Sequence, residues 1–95
     1  MLVLDAKCGG EVYLLVIVET PRGHEVSVHD SRDVALYSST WSDEVNRQML
    51  SLIPRECREV IAERAEWVLG EYEGGLEDTP LGNLLERAVS ALREP

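Results

Sequence analysis

The chain has 95 residues, 44% of them apolar and 28% charged, with a formal net charge of −9. A single domain of this size buries only about two-thirds of its unfolded surface, which leaves little core for an internal cofactor cavity. The acidic balance repels phosphate backbones and anionic lipid, so direct nucleic-acid binding and membrane attachment are disfavoured.

The apolar content is enough to fold, and with no Phe the core must come from Val, Ile, Leu, Trp and Tyr. Arg outnumbers Lys eight to one and the only amides are Asn46, Gln48 and Asn83. That bias fits GC-rich coding or a hot habitat. Met1–Asp5 lacks the basic start and apolar run of a secretion signal, and no stretch is long enough to span a bilayer, so a cytoplasmic location is expected. Cys8 and Cys57 make no metal-ligand spacing. Two free thiols are the cytosolic default, although a disulfide closing that loop would be worth about 4 kcal/mol.

In chain order, Leu2–Leu4 reads as a short strand and Lys7–Gly10 as a turn. Glu11–Glu19 follows, seven apolar residues between two glutamates, and reads as a strand buried on both faces. Thr20-Pro21-Arg22-Gly23 has Pro and Gly where a type I or II turn places them. His24–His29 alternates, Val26 and Val28 against Glu25, Ser27 and His29, as a half-solvated strand does. Asp30–Asp33 is a turn and Val34–Tyr37 a fourth strand, which completes an antiparallel meander over residues 2–37.

The apolar period then changes to that of a helix. Thr40 with Asp43 resembles a capping box, and Trp41, Val45, Met49 and Leu52 share one side of a first helix over 41–52. A second helix over 54–73 places Cys57, Ile61, Ala65, Val68 and Tyr72 on its apolar face. Thr79 caps a third helix over 80–93, with Leu81, Leu84, Leu85, Ala88, Val89 and Leu92 on one arc. The expected architecture is α+β, a three- or four-stranded meander with three helices on one sheet face.

The sheet's second face needs a cover. With Val12, Leu14, Val16 and Val18 assigned to the helices, Tyr13, Leu15 and Ile17 point the other way and await a second copy or a partner. Alternatively the chain's own N-terminus or a displaced helix covers them. The second helix also carries a stripe including Glu59, Glu63 and Glu66 with Trp67 at its edge. Such a stripe is ordinarily a solvated face; read functionally it is a docking surface for a basic partner, with Trp67 as its anchor. The plainer reading packs Trp67 against the first helix or the sheet edge.

Chemistry-bearing motifs are scarce. His29, Asp30 and Asp33 form the only polar cluster with acid–base character, and it reads mainly as a solvated turn. His24 and His29 differ in strand parity and cannot share a metal. Arg22, His24 and Arg32 at hairpin ends form at most a small basic tip. No nucleophile elbow, P-loop or dinucleotide fingerprint occurs, and no cofactor or metal is expected. These residues point to a small acidic interaction protein, a homodimer or a non-catalytic subunit. The alternatives are an acidic regulator that mimics nucleic-acid charge, and a small enzyme built on His29, Asp30 and Asp33 at a subunit boundary.

Overall fold

The structure, a computed structural model, describes residues 1–32, 35–40, 42, 47–48, 50–71 and 79–94. Four strands, β1 (Leu2–Cys8), β2 (Glu11–Thr20), β3 (Gly23–His29) and β4 (Ala35–Thr40), form one antiparallel sheet in chain order. Among the described residues two helices follow, α1 (Arg55–Glu71) and α2 (Pro80–Leu92).

Turn chemistry sets the register. Gly9 and Gly10 have φ of 55° and 81°, the left-handed pair that a two-residue hairpin loop requires and that side chains resist. Cys8 therefore faces Glu11, and the register runs on through Ala6–Tyr13, Leu4–Leu15 and Leu2–Ile17. At the other end of β2, Pro21 bars the primed turns because its ring forbids positive φ. Gly23, with φ of 126°, takes up the mismatch, and the Thr20 hydroxyl donates to the Gly23 carbonyl at 2.9 Å. Thr20 thus faces Gly23, Ile17 faces Val26 and Leu15 faces Val28.

These registers overturn the expected facing of β2. Leu4, Ala6, Leu15, Ile17, Val26 and Val28 are buried together on one sheet face, in the same core as Ile61, Ala65, Leu84 and Leu85. Tyr13, Leu15 and Ile17 belong to the helix side, and Val12, Leu14, Val16 and Val18 to the other. A strand apolar at both parities carries no facing signal of its own; its neighbours decide it.

The helical half differs from the expected three helices: two are formed among the described residues, and these keep their expected buried positions. In α1, Cys57, Ile61, Ala65 and Val68 are buried as their spacing requires. In α2, the Thr79 hydroxyl accepts from the Gly82 N–H at 3.0 Å and Pro80 opens the helix, a complete N-cap. The expected helix over 41–52 has Trp41, Val45 and Met49 outside the described residues; Arg47, Gln48 and Leu50 are helical. Leu52 is exposed because the chain leaves the helix there, with the Ile53 N–H bonded to the Leu50 carbonyl, so Leu50 and Ile53 enter the core instead. Thr40 is the last residue of β4, opposite Glu25, and Asp43 of the expected capping box lies outside the described residues. A bulge between Val28 and His29 sets Tyr37 against Val28 and Ala35 against His29, leaving Leu36 as the extra residue.

Cys8 and Cys57 are joined in a disulfide across a sequence separation of 49, and no described cysteine is free. The bond ties the β1–β2 hairpin to the first turn of α1, where the free-thiol expectation placed nothing.

Candidate functional site

Strand alternation gives the sheet a helix-covered face and an open one. On the open face β1 contributes Val3, Asp5 and Lys7, and β3 contributes Glu25, Ser27 and His29. Between them β2 lays down a row of Val12, Leu14, Val16 and Val18. The row and its flanks are joined rung by rung: Val3–Val16–Ser27, then Asp5–Leu14–His29. Val12, Leu14 and Val16 are half-buried by these neighbours, whereas Val3 is 43% and Val18 37% exposed. Both helices bury their apolar arcs on the opposite face.

The open face carries little net charge. On β1 to β3 the open face holds one lysine (Lys7) against two carboxylates (Asp5 and Glu25), a formal charge of −1 out of the chain's −9.

Trp67 is 66% exposed, more than any other aromatic residue among those described. It lines a shallow notch with Val3, Leu4, Asp5, Arg64 and Val68, where α1 overlies the β1 edge. Arg64 Nε reaches around that edge to Asp5 Oδ1 at 3.7 Å. Trp67 thus adjoins the open face through Val3, at the sheet edge that the plainer reading gave it.

The stripe itself is split. Arg93, at the C-cap of α2, donates through Nη2 to Glu59 Oε1 at 3.1 Å and is ion-paired with Glu66. Its pKa is raised, first by the Glu59 hydrogen bond and then by Glu66. A guanidinium is charged at any ordinary pH, so the consequence is a fixed positive charge set into the stripe. Glu63 remains exposed beside them. Glu59 and Glu66, two of the three stripe glutamates, thus tie α1 to the end of α2.

Of the acid–base cluster, His29 and Asp30 are among the described residues. Asp33 lies outside the described residues. Asp30 accepts from the Arg32 backbone N–H at 2.9 Å and from Arg32 Nη2 at 3.1 Å, which closes its own turn. His29 Nε2 lies 2.8 Å from Ser27 Oγ, a hydrogen bond between alternate residues of one strand. A serine–imidazole pair is half of a nucleophilic constellation, yet this one sits on the open sheet face, on alternate residues of a single strand. His24 faces the other way, toward Leu81 and Arg87. Arg22 and Arg32 occupy turns at opposite ends of β3, so the expected basic tip does not assemble. No group of three or more His, Cys, Asp or Glu among the described residues is placed to hold a metal ion. No helix among them is long and apolar enough to cross a membrane.

The strongest features are therefore the open apolar row and the exposed tryptophan beside it. Expecting the row to face the helices concealed it, although the two hairpin turns carried the signal. Compared with known proteins, the chain matches no family model, no curated protein and no solved structure.

Proposed function

We propose that this chain is a small acidic protein–protein interaction module, acting without catalysis, whose docking surface is the open face of its sheet. The observation that carries the reading is the row Val12, Leu14, Val16 and Val18, extended by Val3 and Trp67 at the β1 edge. Completing the burial of this row is worth on the order of 5 kcal/mol. Association costs about 4–15 kcal/mol, so the partner must bring apolar surface of its own. The charge-mimic alternative is weakened because Arg93 occupies Glu59 and Glu66.

The Cys8–Cys57 bond bears on the compartment. Persistent disulfides belong to oxidising compartments or to the cytosol of hyperthermophiles. The second setting agrees with the cytoplasmic expectation and with the scarcity of amides in the chain.

A photo-reactive side chain in place of Val16, compared with one in place of Glu63, tests the reading in cells. Adducts are expected from position 16 and not from position 63. Equal labelling at both, or none at 16, contradicts it.

A further inference from the structure

We infer that the partner seats an arginine side chain in the notch at the β1 edge, its guanidinium stacked on Trp67 and within reach of Glu71. The inference rests on the interaction reading above and adds the chemistry of the partner's contact there.

The notch sets the size of the occupant. Trp67 is 66% exposed and stands at the rim of a hollow of about 130 Å³ whose apolar walls are Val3, Leu4 and Val68. Pockets for free small molecules run to roughly 300–1,000 Å³, so this one takes a single side chain of a larger partner. Val3 belongs to both the notch and the open face, which makes the seat continuous with docking across the valine row.

Charge selects the side chain. Arg64 and Asp5, which also line the notch, are 3.7 Å apart and formally cancel. Glu63 and Glu71 stand four residues to either side of Trp67 on α1, and both are exposed. Among the described residues neither has an ion-pair partner. Helical side chains lean toward the N-terminus, and residues four apart have Cβ atoms about 5–6 Å from each other. Glu71 therefore leans toward Trp67 while Glu63 leans away, so Glu71 supplies the uncompensated carboxylate.

An acidic occupant is repelled there, and a purely apolar one gains nothing from that carboxylate. A guanidinium on a hydrocarbon stem answers every part of the seat. Its stem lies on the apolar walls, its plane on the indole, and its N–H groups donate to Glu71. The chain's net charge of −9 acts in the same sense at longer range, speeding the approach of a basic partner.

A synthetic peptide of alternating arginine and valine probes the seat on the oxidised chain, beside peptides with norleucine or glutamate in place of arginine. The indole N–H resonance of Trp67, identified with Trp67→Phe, should move with the arginine peptide, move less with norleucine and hold still with glutamate. High salt should weaken binding of the arginine peptide. Glu71→Gln should weaken it about two- to five-fold, and Glu63→Gln, an equal change of net charge, by less. Trp67→Ala should weaken it at least about ten-fold. All three positions are exposed, so circular dichroism should be unchanged.

Equal shifts with the norleucine peptide, equal losses at positions 71 and 63, or no movement of Trp67 with any peptide would overturn the seat. The photo-reactive group at position 16 separates it from the interaction reading. Adducts that persist at full yield in the Trp67→Ala, Glu71→Gln double variant remove the seat and leave the docking face standing, whereas no adduct at all removes both.

Discussion

The two faces of β2 are chemically alike and structurally opposite. One presents Tyr13, Leu15 and Ile17, the other Val12, Leu14, Val16 and Val18, and by composition neither has the better claim to the core. Yet Leu15 is 0% and Ile17 2% exposed, whereas Val18 on the other face is 37% exposed. The difference lies in the flanking strands. Leu4, Ala6, Val26 and Val28 stand beside the first set, and Asp5, Lys7, Glu25 and Ser27 beside the second. A strand apolar on both sides is thus sorted by its neighbours' alternation, and the other face stays outside the helix-covered core.

The largest effect should come from the bond that fastens the inner side. Reducing Cys8–Cys57, or replacing both residues with Ala, should lower unfolding stability by about 4 kcal/mol, read by urea denaturation with and without reductant. Next, Leu15→Ala should cost about 3 kcal/mol and Val16→Ala no more than about 1 kcal/mol under the same assay at low concentration. Equal losses at these adjacent positions would break the comparison. Thr79→Ala removes the cap of α2 and should cost about 1 kcal/mol without affecting association. Smallest is Arg93→Ala: its ion pairs with Glu59 and Glu66 are solvent-screened, so any loss should be slight and disappear in high salt.

Much of the fold was legible in the chain. The meander, the Gly9-Gly10 turn, the Thr79–Pro80 start of α2 and the apolar arcs of both described helices follow from local signals. The facing of β2 was legible too, but only by carrying register through the two-residue turns. Cys8 opposite Glu11 and Thr20 opposite Gly23 put Val26 and Val28 beside Ile17 and Leu15 and so name the inner face. Reading β2 alone could not do this. The disulfide, the Arg93 clasp on Glu59 and Glu66, and the wrapping of the β1 edge by Arg64 and Trp67 join residues far apart in the chain. No periodicity or spacing encodes such contacts; they appear once α1 is laid over β1.

The facing of β2 is tested most directly by the solvent access of its methyl groups. In methyl-resolved NMR of the oxidised protein with a soluble paramagnetic probe, resonances of Val16 and Val18 should broaden, while those of Leu15 and Ile17 hold still. Broadening centred on Leu15 and Ile17, or equal on the two faces, would contradict that facing.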